Sequence, residues 1–318
     1  MIKVGIVNAT TPVAGELIRI LINHPDVEIV WVQSSQDVGM DVTHVHQGIT
    51  GETQLQLCSE PAFDCVDVVF LCHSQGSSIA FMNRYRDQLP PELRIIDLSP
   101  DFRLPGDEHD FVYGLSELNR KYMVHDCFRV ACPGAFAQTL EIALLPLAKN
   151  LMLNTDIHVT AIAGRATGTP PSRHSGNVAV EHALSSPQVP EVEQALKQLQ
   201  LSFNSNIHFV PMRAGFDRGL LMAAYVKCNV DLDVLRQLYE DYYDDHNFVF
   251  IVDRPVCIND VLNTNKCLLN LERTGDKFLI TAVIDDAMKG SAGNAVHCMN
   301  LLFGLHERVG LIAKSSAF

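Results

Sequence analysis

Residues Val130 to Thr139 read Val-Ala-Cys-Pro-Gly-Ala-Phe-Ala-Gln-Thr. The pattern predicts a strand end, a Pro133-Gly134 turn and the first turn of a helix. Leu140, Ala143, Leu144 and Leu147 continue that helix on one face. Backbone N–H groups at a helix start stabilise negative charge and lower the pKa of a thiol. An acyl-transfer enzyme would place its nucleophile here. This chain has Ala135, whose methyl group cannot attack a carbonyl. Cys132 is the nearby thiol, but it precedes the turn and reads as a small buried residue.

The first βα turn is a second place for chemistry. It runs Gly5-Ile6-Val7-Asn8-Ala9-Thr10-Thr11-Pro12-Val13-Ala14-Gly15. Dinucleotide sites use Gly-x-Gly-x-x-Gly there, so that the backbone can approach a pyrophosphate. That spacing is absent. Asn8 tolerates left-handed backbone, whereas a β-branched Thr11 in place of the second glycine would crowd a phosphate. On the loop alone, an α/β sheet without nucleotide is the stronger reading. The second strand ends Val32-Gln33-Ser34-Ser35, with no acidic residue to hold a ribose 2′-hydroxyl. Any retained cofactor is therefore expected to be NADP and not NAD. Its candidate contacts are Asn8, Thr10, Thr11, Pro12, Val13, Ser34 and Ser35.

These positions need a frame. Ile2 to Val7, Glu28 to Val32, Cys65 to Cys72, Arg94 to Leu98 and Phe128 to Ala131 read as strands. Helical periodicity appears at Val13 to Ile22 and near Ile79 to Tyr85. Such alternation predicts an α/β, Rossmann-like domain over residues 1–147. From residue 148 to 290 strands dominate: Asp156 to Ala163, Ile207 to Pro211, Leu220 to Val226 and Phe248 to Val252. A hairpin follows, with Cys267 to Leu271 and Phe278 to Ile284 flanking Thr274-Gly275-Asp276-Lys277. Helices are expected at Val192 to Leu199 and Leu232 to Tyr243. This reads as an α+β substrate and oligomerisation domain. A last helix, Ala292 to Leu305, begins residues 291–318, which are expected to pack on the first domain. The polar stretch Gly164 to Asn177 is an unusually long loop.

The chain has 318 residues, 47% hydrophobic and 19% charged, which suits a globular protein. A net charge of −13 argues against nucleic acid and anionic membrane as partners, but allows a small acidic metabolite held by local arginines. Nine cysteines stand singly and suggest reduced thiols. His44 and His46 are the closest pair of imidazoles, without further ligands, so no metal is expected. No signal peptide or apolar span is visible, and the expected location is cytoplasmic.

Taken together, the stretches resemble the N-acetyl-γ-glutamyl-phosphate reductase family of arginine biosynthesis over essentially the whole chain. The resemblance rests on Ala14-Gly15-Glu16-Leu17-Ile18-Arg19, Asp97-Leu98-Ser99-Pro100-Asp101-Phe102-Arg103-Leu104 and Val112-Tyr113-Gly114-Leu115-Ser116-Glu117-Leu118-Asn119-Arg120. It extends to Pro133-Gly134 with Phe136, to Phe209-Val210-Pro211 with Arg218-Gly219, and to Lys289-Gly290-Ser291-Ala292-Gly293 through Leu301. The details are similar to the Bacteroidetes branch, for which the resemblance implies a succinyl in place of an acetyl group. It implies NADPH-dependent reduction of an acyl phosphate by way of a thioester, with a histidine as acid and base. It also implies a homodimer or homotetramer built on the second domain's sheet. Arg103, Glu117, Arg165 and Arg218 stand at substrate-binding positions.

The departures fall at the reacting positions. The family nucleophile position is Ala135, and the Asn expected three residues earlier is Cys132. The family His position is Met212, the glycine loop holds Asn8 and Thr11, and the Gln of the last motif is Asn294, a further cofactor candidate. An introduced alanine would leave its surroundings intact, and here they differ too. The favoured reading is an inactive or repurposed paralogue in which the NADP site is kept or lost. The alternative is an active NADP-dependent reductase, with its nucleophile exchanged for alanine or with relocated groups.

Overall fold

The computed structural model describes residues 1–125, 127–164 and 177–315. It divides into two compact units, Met1–Pro133 with Ser291–Ile312 and Gly134–Gly290 with Ala313–Phe318.

The first unit holds strands β1 (Ile2–Val7), β2 (Val27–Gln33), β3 (Leu57–Cys58), β4 (Val68–Leu71), β5 (Arg94–Asp97), β6 (Val112–Tyr113) and β7 (Arg129–Ala131). Their order is β3-β2-β1-β4-β5-β7-β6, and every pairing is parallel. The central strands are continuous apolar runs because both faces are covered: Val4, Ile6, Val68 and Phe70 are fully buried. The chain order reverses between β1 and β4, and ligands of open α/β sheets bind at such a point. Helix α1 (Pro12–Leu21) starts there, with Pro12 at its first position and the Thr11 hydroxyl accepting from the Ala14 N–H. α2 (Val42–Val45), α3 (Ser77–Tyr85) and α4 (Ser116–Val124) follow.

The second unit opens with α5 (Ala135–Lys149) and continues with β8 (Ile157–Ala163), β9 (Ala179–Val180), α6 (Val189–Leu199), β10 (Ile207–Arg213), β11 (Leu220–Lys227), α7 (Leu232–Tyr243), β12 (Val249–Val252), β13 (Cys267–Thr274) and β14 (Lys277–Ile284). The sheet order is β12-β13-β14-β11-β8-β10-β9, a mixed sheet in which β8/β10 and β12/β13 run parallel. α5 lies on β11 and β14 and is buried all round, from Phe136 to Ala148. Pro146 inside it has no N–H for the Ile142 carbonyl. The Tyr243 hydroxyl from α7 donates to that carbonyl, and Tyr239 donates to Ala143 O at 2.6 Å. Sequence periodicity joined α5 to the first domain, with a boundary after residue 147. The compact units part ahead of the helix instead, because its apolar surface is spent on the second sheet.

α8 (Gly293–Leu302) packs in the first unit on α4, β5 and α1. A π-helical turn over Met288–Ala292 precedes it. Among the described residues no helix is long and apolar enough to cross a membrane.

Candidate functional site

The start of α5 is closed by its own unit. Gly134, the N-cap residue, is extended at φ −72° and ψ 145°. Its N–H donates to Glu191 Oε2 at 3.0 Å, and the Ala137 N–H donates to Gln188 Oε1 at 3.0 Å. Gln188 is the N-cap residue of α6 and Glu191 lies in its first turn, only 4% exposed. A buried carboxylate thus already meets the positive end of α5. Ala135 is half-buried at the first helical position. Gly290 approaches it so closely that a β-carbon on residue 290 would lie 2.7 Å from the Ala135 methyl.

Strand alternation decides what else faces α5. Along β10, Ile207, Phe209 and Pro211 are buried, while His208, Val210 and Met212 alternate onto the other face. Phe209 packs edge-on to Phe136 of α5, with ring centroids 5.7 Å apart. Met212, expected at the family His position, therefore points to the face opposite α5. The next residue, Arg213, is on the α5 side, with its guanidinium 5.0 Å from the Phe136 ring centroid. Its Nε donates to Glu181 Oε2 at 3.1 Å and its Nη1 to Gly164 O at 3.1 Å.

Arg218 is differently engaged. Its Nε donates to both oxygens of Asp285, at 2.8 and 2.6 Å, and Asp285 is fully buried. Asp286 beside it accepts from the Gly219 N–H at 2.6 Å, and burial pushes its carboxyl above the usual carboxylate range, with Arg213 opposing the shift. Arg165 lies outside the described residues.

In the first unit the βα turn is held by side chains. Asn8 adopts φ 58°, the left-handed conformation that a glycine would otherwise supply. Its Nδ2 donates to Cys72 O at 3.1 Å. The Thr11 hydroxyl is turned onto Asn8 O (3.2 Å) and Cys72 O (3.4 Å) while accepting from Ala14 N. His46 Nε2 donates to Ala9 O at 2.7 Å, and its ring covers Gly15, where a β-carbon would come within 2.4 Å of Nδ1. Thr10 and Val13 are half-buried, and Pro12 and Ser35 are exposed. Ser34 is buried and accepts from Gln36 N at 3.1 Å. A left-handed residue, an α-helix start and no carboxylate at the end of β2 fit the diphosphate and 2′-phosphate of a dinucleotide.

The Asp97–Leu104 motif ties strand ends together. Asp97, fully buried, accepts from Ser78 Oγ (2.6 Å) and Ser99 Oγ (2.7 Å); burial raises its carboxyl. Asp101 accepts from Gly76 N and Ser78 N at the start of α3. Arg103 donates from Nε to Cys132 O at 2.9 Å and from Nη2 to Leu98 O at 3.3 Å. Cys132 is 1% exposed. Glu117 is 4% exposed and accepts from Ser116 Oγ at 2.9 Å. Asn294 is likewise buried, donating to Gly114 O at 2.9 Å. Among the described residues no cluster of three metal-ligating side chains occurs.

Sequence reasoning missed Glu191, Gln188, Arg213 and His46. Only Gly15 signalled one of them, as a glycine inside a helix with no turn to explain it.

Residues 3–125 match the model of the semialdehyde dehydrogenase NAD binding domain, and residues 135–286 match its dimerisation domain. Two solved structures share the fold at low identity. The aspartate semialdehyde dehydrogenase II of Vibrio cholerae, complexed with ASA, has a TM-score of 0.75 at 14% identity, over 96% of this chain and 98% of that one. The Candida albicans aspartate semialdehyde dehydrogenase with NADP has a TM-score of 0.74 at 15% identity, over 95% and 98%. Among curated relatives, the N-acetyl-gamma-glutamyl-phosphate reductases of Parabacteroides distasonis and Phocaeicola vulgatus are 46% and 47% identical, over 100% of both chains in each case. The chain belongs to the N-acetyl-gamma-glutamyl-phosphate reductase family.

Proposed function

We propose that this member binds an NADP-type dinucleotide and an anionic N-acylglutamate-type ligand, acetylated or succinylated, without reducing an acyl phosphate through a thioester. The observation that carries the reading is Ala135 at the first position of α5, with its methyl against Gly290. No sulfur stands where the acyl group would be held. Asn8, Thr10, Thr11, Pro12 and Val13 would hold the diphosphate of NADPH and Ser34 and Ser35 its 2′-phosphate; the hydride that NADPH can supply would find no thioester to reduce. Loss of a covalent nucleophile costs several orders of magnitude in rate. The test pairs calorimetric titration of NADPH with an assay of NADPH oxidation against the acyl phosphate. Binding without turnover is the expected result.

The full-length likeness to named reductases favours one second reading. On that reading the chain is an active NADP-dependent reductase whose nucleophile alone is exchanged for alanine, with the acid–base role at the Met212 position carried by another group. An Ala135→Cys variant that turns over would support this reading.

The chain is also proposed to form a homo-oligomer through the second sheet. Its helix-free face carries Leu221, Ala223, Tyr225, Leu279 and Met212, all partly exposed. A second copy covering this face would remove that apolar surface from water.

A further inference from the structure

We propose that Arg213 is the carboxylate-binding residue on the α5 side, the part that the family resemblance gives to Arg218. The inference rests on the proposed binding of an N-acylglutamate-type ligand.

Arg218 has its Nε on both oxygens of a fully buried carboxylate, Asp285. Withdrawing it would strand that charge in the interior, which is costly. Arg103 is tied to two backbone carbonyls. Arg213 is placed otherwise. The alternation of β10 aims it at α5, and the Phe136 ring, one residue along from Ala135, supports its guanidinium at 5.0 Å. Gly164 O fixes Nη1, while Nη2 makes no hydrogen bond with any described residue. The side chain is 27% exposed, and its ion pair with Glu181 is exposed on the Glu side at 46%. Such a pair contributes little and exchanges readily. A ligand carboxylate offers the fork two parallel charge-assisted bonds in its place. The stacked, half-anchored guanidinium is thus ordered before the ligand arrives, which lowers the entropy cost of binding.

Two carboxylates could occupy it: the α-carboxylate of the glutamyl part or the terminal carboxylate of a succinyl arm. Calorimetric titration of the full chain with N-acetylglutamate and N-succinylglutamate, in the presence of NADPH, separates them. Arg213→Gln is expected to weaken binding about ten- to a hundred-fold. Weakening with both ligands assigns Arg213 to a carboxylate of the shared glutamyl part, and weakening with the succinyl ligand alone assigns it to the acyl arm. Arg213→Lys should recover only part of the loss, since it keeps the charge but not the fork. Unchanged affinity for both ligands in Arg213→Gln, with the unaltered chain binding them, overturns the inference and leaves the proposed function standing. No binding by the unaltered chain overturns both. A thermal midpoint within a few degrees of the unaltered chain shows that Arg213→Gln is folded.

Discussion

The Ala135 methyl lies against the backbone of Gly290, and a β-carbon added to residue 290 would come within 2.7 Å of it. The π-helical turn over Met288–Ala292 fixes that approach, with the Gly290 N–H bonded to Asp285 O at 3.0 Å. Gly290→Ala should therefore destabilise the chain by about 1–3 kcal/mol through overpacking. Ala135→Gly in the same chain should recover much of the loss. A double-mutant cycle by urea denaturation measures the coupling. Strictly additive changes would show that the two residues do not press on one another.

A thiol at residue 135 should be reachable where Cys132 is not. Residue 135 is half-buried, whereas Cys132 is 1% exposed. Native-state alkylation followed by peptide mapping should label residue 135 in Ala135→Cys and leave Cys132 unlabelled in both chains. Rapid labelling of Cys132 in the unaltered chain would make it a candidate nucleophile after all.

Arg218 and Arg213 should separate in stability measurements. Arg218→Met removes the cation from fully buried Asp285 and should cost about 3 kcal/mol, the lower end for a broken buried pair. The cost is limited because the backbone N–H groups of Asn263, Ala287 and Met288 still donate to that carboxylate. Arg213→Gln should cost no more than about 1 kcal/mol. Equal losses by chemical denaturation would contradict the contrast drawn between them.

Acid should weaken the first unit before its carboxylates titrate. Burial lowers the His24 pKa from 6.5, against smaller opposing effects of Asn300 and Asp26. Its Nδ1 accepts from Asp26 N at 3.2 Å, which only an unprotonated Nδ1 can do, so Nε2 carries the proton toward Asn300 Oδ1 at 3.1 Å. Burial lowers His73 in the same way. Between the unfolded value near 6.5 and the lower folded values, the unfolded chain binds more protons. Stability therefore falls as the pH drops through that window. Urea midpoints at stepped pH from 7.5 to 5.5 should decline, and His24→Gln should flatten part of the decline. A flat profile in the unaltered chain would count against neutral buried imidazoles.

His46 should act on cofactor affinity through the turn it holds. His46→Ala frees Ala9 O, and Gly15→Ala drives a methyl into the imidazole. Both variants should weaken NADPH binding about tenfold by calorimetry, as expected for losing one well-placed hydrogen bond to the carbonyl of a buried residue. Unaltered affinity in both would detach His46 from the cofactor turn.

Much of this frame was legible in the chain. The strand at Ile2–Val7, the turn before Ala135 and the helix after it follow from apolar runs, a Pro-Gly pair and period 3.6. The owner of α5 was not legible. The stripe of Leu140, Ala143, Leu144 and Leu147 does not say which sheet a helix buried on every side meets, and its anchors Tyr239 and Tyr243 lie 96 and 101 residues beyond the carbonyls they hold. The alternation of His208, Val210 and Met212 could be read from β10, but not which face α5 would cover. Arg213 carries no local mark of its place against Phe136, since that depends on which face α5 covers. The Arg218–Asp285 pair left no local mark, since the partners are 67 residues apart.

Acyl transfer to the protein is the step that the account denies. The full chain should be incubated with the N-acylglutamyl phosphate, with and without NADPH, and followed by intact-mass spectrometry alongside absorbance at the NADPH band. The account predicts an unchanged mass and no NADPH consumption above background. A mass increase of one acyl group on any of the nine cysteines, or sustained NADPH oxidation dependent on the acyl phosphate, would contradict it.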